Sequence, residues 1–367
     1  MKLFRLLLCG ITLFCLTTGS QAQDIHFSQF YLSPLNLNPA MTGVMNCNGR
    51  LAVNYRNQWS SILKNNAFST YSASYDQKIP VGRYDYFGIG GTFWGDKAGE
   101  AEFATLTAKL SGSYSKRMGG SRSTSHYLVV GAEGGFAQRS IDFLAIRWGN
   151  QADPSNPGQF DPTQTSGEEN TFDRTNFTFA DMAAGVLWFS NLDRNNSIYF
   201  GGAFHHLNRA DQSFRTEEED FLYSRFTIHG GGEFMGRKAG LLPGFIVMKQ
   251  GPSLEVNAGT SVRFLLGSDR FNSQSFQIGL WSRIANRYGE PTFDADGNQI
   301  ASTGGGVLMD ALIASTRFDY NEFSLGFSYD LNTSTLARAN NGNGSFEFAL
   351  LYKFCGSEKR GVYCPNF

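Results

Sequence analysis

Apolar and polar residues alternate along most of this chain, and this alternation restricts the possible fold more than any other feature. In residues 345–354, every second residue is large and apolar: Phe346, Phe348, Leu350, Tyr352 and Phe354. Glu347 and Lys353 lie between them. A period of two is typical of a β-strand with one apolar and one polar face. Residues 50–59, 254–264 and 322–330 repeat the pattern.

The whole sequence, read in this way, predicts about fourteen strands. Their spans are 50–59, 67–76, 85–95, 102–115, 125–138, 178–190, 197–209, 222–235, 241–249, 254–266, 274–288, 305–317, 321–330 and 344–354. Most are longer than the five or six residues common in soluble sheets, and they match the roughly 9–11 tilted residues that cross a bilayer. We therefore predict an all-β fold, a transmembrane antiparallel β-barrel.

Connections of unequal length support a barrel in the outer membrane. The longer ones are 139–177, 210–221, 289–304 and 331–343, and they alternate with short ones such as 191–196, 236–240, 267–273 and 318–320. Outer-membrane barrels have short periplasmic turns and longer extracellular loops, whereas a soluble β-sandwich would show no such bias. An even number of strands also predicts that both termini are periplasmic.

The N-terminus has the layout of a signal peptide. Lys2 and Arg5 precede a mostly apolar run over 6–16, which leads to Ser20-Gln21-Ala22, a small-x-small cleavage site. The run is shorter than the roughly 20 residues of a spanning helix. We expect four regions: a signal peptide (1–22), an N-terminal periplasmic or lumenal segment (23–49), the barrel (50–354) and a C-terminal periplasmic tail (355–367).

Composition excludes several other classes of protein. The 367 residues include 42 Gly and 33 Phe, only 17% are charged, and the formal net charge is −1. Such a chain is too apolar and aromatic to be disordered. It also lacks the basic surface that nucleic-acid binding requires. Aromatic strand faces with few charges suit contact with a lipid bilayer.

Motifs of catalysis or metal binding do not occur in the sequence. There is no Gly-x-Ser-x-Gly and no His-Glu-x-x-His, and residues 294–298 resemble only the start of a calcium loop. His205 and His206 are adjacent in a predicted strand, so we expect them to face opposite sides. We predict no enzymatic activity, no metal and no cofactor.

Three cysteines remain after the predicted cleavage: Cys47, Cys355 and Cys364. An odd number leaves at least one of them unpaired. A disulfide between Cys355 and Cys364 would close a small loop in the tail, whereas a disulfide from Cys47 to either would tie the two ends of the chain together. The sequence leaves these pairings open.

Residues 23–49 belong to neither the signal peptide nor a strand. Their apolar residues are Phe27, Phe30, Tyr31, Leu32, Leu35 and Leu37. Because these side chains are too apolar to remain in water, we expect them to pack in the barrel lumen, at its periplasmic mouth, or on a partner.

Three motifs in and after this segment resemble those of a known family. They comprise Phe27, Ser28, Gln29 and Tyr31; then Asn38, Pro39, Ala40, Thr42 and Gly43; then Tyr55, Arg56, Gln58 and Trp59. Their order and spacing are similar to the PorP/SprF family of the Bacteroidetes type IX secretion and gliding machinery. The likeness spans nearly the whole mature chain.

This resemblance implies an outer-membrane barrel that supports secretion or surface anchoring of a large adhesin with a C-terminal sorting domain. It also implies contact with periplasmic components of the secretion system. The motif residues would be structural or would contact a partner, and the family provides no catalytic residues. The alternative is an outer-membrane channel or transporter for small hydrophobic or polar solutes, with residues 23–49 as a plug.

Overall fold

The computed structural model of this chain describes residues 24–121, 124–153, 159–161, 163–167, 173–193, 195–269, 272–287, 290–293, 299–303, 306–334, 337 and 342–356. Its strands are β1 (Gly49–Gln58), β2 (Phe68–Val81), β3 (Asp85–Ala98), β4 (Phe103–Gly120), β5 (Ser125–Ser140), β6 (Asn176–Asn191), β7 (Asn196–His205), β8 (Arg225–Met235), β9 (Ala239–Gln250), β10 (Ser253–Asp269), β11 (Asn272–Arg287), β12 (Glu290–Phe293), β13 (Gln299–Thr303), β14 (Gly306–Tyr320), β15 (Phe323–Asn332) and β16 (Asn343–Phe354).

All of these strands except β12 and β13 form one closed barrel, in which neighbours in sequence are neighbours in space. The barrel closes where β1 pairs with β16 on one side and with β2 on the other, both antiparallel. Strands β12 and β13 form a separate hairpin in the connection between β11 and β14. The predicted antiparallel barrel of fourteen strands is confirmed.

The two faces of the wall differ as the alternation predicts. In β1, Val53 and Tyr55 are 38% and 39% exposed on the outer face, whereas Asn54 and Arg56 on the inner face are 1% and 2% exposed. An apolar exterior around a polar interior is the arrangement of a barrel that faces lipid. Among the described residues, no helix is long and apolar enough to cross a membrane.

Long and short connections lie at opposite ends of the barrel. The short ones are 82–84, 121–124, 192–195, 236–238, 270–271 and 321–322. The other end carries 59–67, 99–102, 141–175, 206–224, 251–252, 288–305 and 333–342. The predicted asymmetry is confirmed, and we refer to the short-turn end and the long-loop end below.

Strand β7 ends earlier than the sequence predicts. It stops at His205 rather than residue 209, because His206 has a φ of 57° and leaves the strand conformation. Both imidazoles are buried, at 1% and 4% exposure. The expectation that they face opposite sides is therefore wrong.

Residues 24–48, which we call the lumenal segment, run inside the barrel from one end to the other. The Asp24 N–H donates to Gln250 Oε1 (2.9 Å) at the long-loop end, and the Asn48 N–H donates to Phe354 O (2.9 Å) at the short-turn end. Between them lie a four-residue helix, Pro34–Leu37, and two single 3₁₀ turns. The apolar side chains of the segment pack with those of the wall in one core, which includes Phe30, Leu37, Met41, Leu187 and Trp281.

This path separates the two ends of the described chain. Asp24 lies at the long-loop end, whereas β16 ends at the short-turn end. The expectation that both termini lie on one side therefore does not hold for the first described residue, because the lumenal segment spans the barrel. The predicted signal peptide (1–22) and the tail beyond residue 356 lie outside the described residues.

The disulfide joins Cys47 to Cys355, whose Cα atoms are 4.5 Å apart. The pairing of Cys355 with Cys364 is therefore wrong, and Cys364 lies outside the described residues. Cys47 and Cys355 meet because the lumenal segment leaves the barrel beside the end of β16.

Candidate functional site inside the barrel

The Asn38-Pro39-Ala40 motif fixes the middle of the lumenal segment to the wall. Asn38 Nδ2 donates to the carbonyl oxygens of Val186 (3.0 Å) and Gly202 (3.2 Å) and lies 3.0 Å from His229 Nε2. Asn38 Oδ1 accepts the N–H of Ala40 (2.9 Å) and so caps the 3₁₀ turn Pro39–Met41. A fully buried amide needs such partners, since each one left unpaired costs about 1–3 kcal/mol.

Glycines in the wall make room for this motif. A Cβ on Gly185 would lie 2.0 Å from Asn38 Oδ1, and one on Gly131 would lie 2.6 Å from the backbone of Ala40. The backbone of the wall therefore contacts the backbone of the segment at Ala40 and the side chain of Asn38. Only glycine allows an approach this close.

The Thr42-Gly43 pair continues the same attachment toward the short-turn end. Ser113 Oγ donates to Thr42 O (2.6 Å), and the Gly43 N–H donates to Asp76 Oδ2 (2.7 Å). Gly43 has a φ of +73°, a conformation that favours glycine. Arg50 binds Asp76 through two nitrogens (3.0 and 2.8 Å) and also donates to Met41 O (3.1 Å).

The Ser28-Gln29 motif binds two carboxylates of the wall. The N–H groups of Ser28 and Gln29 donate to the two oxygens of Glu347 (2.7 and 3.0 Å). Ser28 Oγ lies 2.9 Å from both oxygens of Asp330.

Two arginines compensate Asp330. Arg283 Nη2 lies 2.7 Å from Asp330 Oδ2, and Arg56 Nη2 lies 3.3 Å from the same atom. Arg56 Nη1 also donates to His26 O (2.9 Å), which joins the third motif to the residue just before the first motif. All of these side chains are buried. Loss of one partner from such a buried cluster typically costs about 3–5 kcal/mol.

Tyr31, the last residue of the first motif, makes an aromatic contact with the wall. Its ring stacks on Trp281, with centroids 5.5 Å apart, and Phe30 packs edge-on against the same indole at 5.6 Å. The Tyr31 hydroxyl donates a hydrogen bond to Ser315 Oγ (3.3 Å).

Asp24 holds the start of the segment at the long-loop end. It pairs with His206, and Arg225 Nη1 lies 3.3 Å from its Oδ2. On its other side, His206 Nδ1 lies 2.9 Å from Asp181 Oδ1.

Burial and charge act in opposite directions on this pair. Burial would raise the pKa of Asp24, but the positive charges of His206 and Arg225 outweigh it, so this pKa lies well below its usual range. Burial would likewise lower the pKa of His206, but Asp24 and Asp181 outweigh it and raise this pKa to about 9. The two groups therefore form an ion pair at neutral pH.

The structure places the three motifs differently. Residues Phe27 to Gly43 are inside the barrel, and Arg56 points inward to meet them. Tyr55 instead faces outward beside Phe346 (6.2 Å between ring centroids). Gln58 ends β1, and Trp59 packs edge-on against Phe68 at 5.3 Å on the rim.

The sequence analysis did not identify the residues of the barrel wall that bind the lumenal segment. The partners are Arg50, Asp76, Asp181, His206, Arg283, Asp330 and Glu347. The available signal was a charge on the polar face of a predicted strand, as at Asp330 and Glu347. Among the described residues, no three His, Cys, Asp or Glu side chains are grouped as metal ligands would be; residues 294–298 are not described.

A closed barrel with an apolar exterior, a polar lining and long loops at one end is an outer-membrane β-barrel. Over residues 19–352 the chain matches the family model described as type IX secretion system membrane protein PorP/SprF, and it belongs to that family. The resemblance seen in the motifs is thus confirmed. This is a family of secretion-system membrane barrels and not of enzymes.

Solved structures of barrels resemble this chain at low identity. The CymD monoaromatic hydrocarbon channel is 10% identical with a TM-score of 0.43, over 89% of this chain and 94% of that one. CdiB from Escherichia coli is 6% identical with a TM-score of 0.43, over 82% and 63%. The translocator domain of autotransporter NalP from Neisseria meningitidis is 12% identical with a TM-score of 0.32, over 89% and 96%. No curated protein is detectably similar in sequence.

Proposed function

We propose that this barrel supports the secretion or surface anchoring of a large adhesin with a C-terminal sorting domain. The adhesin would bind the long-loop end, which faces the cell surface, and periplasmic components of the secretion system would bind the short-turn end. The observation that carries the proposal is the occupied lumen: in a member of a secretion family, the interior is filled by residues 24–48.

The filled lumen weighs against the alternative of a solute channel. Leu32, Leu35, Ala40 and Met41 of the lumenal segment are each at most 1% exposed. Solutes could pass only after this segment had moved, against the buried ion pairs that hold it. Binding at an end of the barrel requires no such movement.

Ordered loops at the long-loop end support binding there. Phe214, from the connection between β7 and β8, packs against Phe103, Phe143 and Phe177, with centroids 6.2, 6.0 and 5.1 Å away. Arg174 donates to Ser213 O (2.7 Å) and reinforces this contact. The loops thus pack against one another and form one continuous surface at this end of the barrel.

The test compares surface proteins in two variants. A clean deletion of the gene should remove one or two large proteins from the cell surface, as measured by surface and medium proteomics. Replacing residues 209–221 with a short Gly/Ser linker should release the same adhesin into the medium while the barrel remains heat-modifiable in the outer membrane.

An epitope of similar size inserted at 236–238, in a short turn, tests the other end of the barrel. Because periplasmic components would bind there, this insertion should lower the amount of adhesin that reaches the surface without releasing adhesin into the medium. An unchanged surface proteome after deletion, or full retention of the adhesin by the loop variant, would contradict the proposal.

A further inference from the structure

Charged residues are distributed unequally between the two ends of the barrel. The connections at the short-turn end contain six Arg or Lys residues and two Asp or Glu residues, whereas those at the long-loop end contain six basic and sixteen acidic residues. The basic residues of the short connections are Arg83, Arg122, Arg194, Arg237, Lys238 and Arg270. An anionic ligand would therefore be attracted to the short-turn end and repelled from the other end.

An open groove lies at the short-turn end, between the β2–β3 turn and the end of the β4–β5 hairpin. It is lined by residues 81–85 and 116–120 and has a volume of about 450 Å³, within the range of roughly 300–1,000 Å³ that is typical of ligand pockets. The groove forms because β4 continues beyond its last pair with β3, which is Tyr86 with Ser115, and from there pairs with β5. We call it the arginine groove.

Two arginines of the groove lie against one aromatic ring. The guanidinium carbon of Arg117 is 4.2 Å from the centroid of the Tyr84 ring, and that of Arg83 is 5.2 Å from the same centroid. Arg117 also donates to the backbone oxygens of Gly119 (3.4 Å) and Ser121 (3.2 Å). These contacts hold the guanidinium in place without neutralising its charge.

The carboxylate of the groove is already neutralised by a lysine. Lys116 Nζ lies 2.7 Å from Asp85 Oδ2, and the Tyr114 hydroxyl donates to the same oxygen (3.0 Å). Among the residues that the structure describes, no ion pair involves Arg83 or Arg117, so their two positive charges lie close together without compensation. A bound anion would remove this repulsion and accept hydrogen bonds from both guanidinium groups.

The groove opens toward the lipid-facing side of the wall. Lys116 and Met118, which line it, follow Tyr114 on the outward face of β4, and Met118 is 63% exposed. The Tyr114 ring lies 4.9 Å from that of Phe87 on the apolar exterior. Aromatic girdles mark the membrane interfaces of outer-membrane barrels, and their short turns are periplasmic. The groove thus lies where the headgroups of the inner leaflet would be.

We infer that the arginine groove binds the phosphate of an anionic phospholipid from the inner leaflet of the outer membrane, such as phosphatidylglycerol. Arg83 and Arg117 donate to the phosphate oxygens, and the acyl chains lie along Met118 and Phe87. Two uncompensated cations select a lipid with a net negative charge over a zwitterionic lipid, whose own cation opposes binding. This site is independent of the proposed role in secretion.

Photolabelling of the purified full-length protein tests the arginine groove. The protein is placed in nanodiscs of zwitterionic phosphatidylcholine with a small fraction of phosphatidylglycerol that carries a diazirine close to its headgroup, and labelled peptides are quantified by mass spectrometry. Label should concentrate in residues 81–85 and 116–120. A roughly tenfold excess of unlabelled phosphatidylglycerol over the probe should reduce the labelling about tenfold, and the same amount of additional phosphatidylcholine should not.

A soluble competitor distinguishes a lipid from a free phosphate compound. Glycerol phosphate has the phosphate of the lipid but no acyl chains to lie along the apolar exterior. Added at about the concentration of the probe, it should leave the labelling unchanged, because it lacks the apolar contact that a lipid makes.

Two double variants form a matched pair. Arg83→Gln with Arg117→Gln removes both uncompensated charges and should reduce the labelling about tenfold. Arg237→Gln with Lys238→Gln removes the same charge from another exposed short turn and should leave the labelling of the groove unchanged. Heat-modifiability shows whether each variant is folded. Arg83→Lys with Arg117→Lys keeps the charge and should keep most of the labelling, which separates the charge from a structural role of the arginines.

Several outcomes would overturn the site. These are label spread evenly around the short-turn end, equal labelling of the wild type and the Arg83→Gln, Arg117→Gln variant, or competition by glycerol phosphate. If that variant instead loses adhesin from the cell surface while its labelling is unchanged, the groove binds an acidic periplasmic protein and not a lipid.

Discussion

At the scale of single residues, wall glycines and buried charges hold the lumenal segment. Gly131 and Gly185 allow contact with Ala40 and Asn38, and Asp24 forms an ion pair with His206. The glycine contacts depend on the absence of a side chain, and the ion pair depends on the presence of a charge. Each can therefore be tested by a single substitution.

The first prediction concerns Gly131. Gly131→Ala places a Cβ 2.6 Å from the backbone of Ala40 and should destabilise the seated segment by about 1–3 kcal/mol, as overpacking does. Gly134→Ala in the same strand is the control, because no atom lies within 4 Å of its Cβ. Hydrogen exchange of residues 36–44 should accelerate in the first variant only; equal exchange would contradict this account.

A second prediction concerns pH. The pKa of His206 is raised to about 9 from its usual 6.5, so its stabilisation is complete below pH 6.5 and is lost as pH rises through 9. The lowered pKa of Asp24 keeps its own contribution present above its usual pKa, and that contribution is lost only in strong acid. The shift of His206 corresponds to about 3 kcal/mol at most.

The thermal midpoint of the heat-modifiable form measures this effect. Between pH 6 and pH 10 it should fall further in the wild type than in His206→Asn, which has no charge to lose. Parallel curves for the two proteins would show that this ion pair does not stabilise the barrel.

At the scale of elements, the lumenal segment is attached at both ends. The ion pair of Asp24 holds the long-loop end, and the disulfide from Cys47 to Cys355 holds the short-turn end. An element of this length could not stay folded alone, because its turns are short and its apolar side chains need the wall. The barrel therefore serves as its folding template.

The disulfide gives a third prediction. Non-reducing peptide mapping of the mature protein should find Cys47 linked to Cys355 and Cys364 outside this bond. Cys364→Ser should leave the linked peptide intact, whereas Cys355→Ser should remove it. A peptide that joins Cys355 to Cys364 would contradict the observed pairing.

At the scale of the whole molecule, the barrel is a wall around its own N-terminal segment. Fourteen strands enclose more space than their inward side chains fill, and residues 24–48 occupy the remainder. The lumen is thus filled by a segment of the same chain.

Conductance in planar bilayers gives the fourth prediction. The wild type should show no open-channel steps, and deletion of residues 24–44 should produce them because the lumen is then empty. Replacement of 209–221, with the lumenal segment intact, should leave the bilayer silent. A variant with Glu347→Gln and Asp330→Asn, which weakens the attachment of Ser28 without deletion, should give intermittent steps. Steps in the wild type would favour a channel.

The sequence by itself determined the wall. Alternation within 50–59 or 345–354 depends on residues two positions apart, and lipid outside selects the apolar face. Strand number, strand limits to within a few residues and the difference between the barrel ends were therefore predictable. The motifs from Phe27 to Trp59 were sufficient to identify the family.

Only the tertiary structure decided what fills the wall. Ser28 meets Glu347 and Asp24 meets His206 across 319 and 182 positions of sequence, and no local period encodes such contacts. The same reason explains the partner of Cys355 and the side on which Asp24 lies. The path of the lumenal segment depends on which inward charges and glycines the closed barrel brings together, and these become neighbours only when β1 pairs with β16.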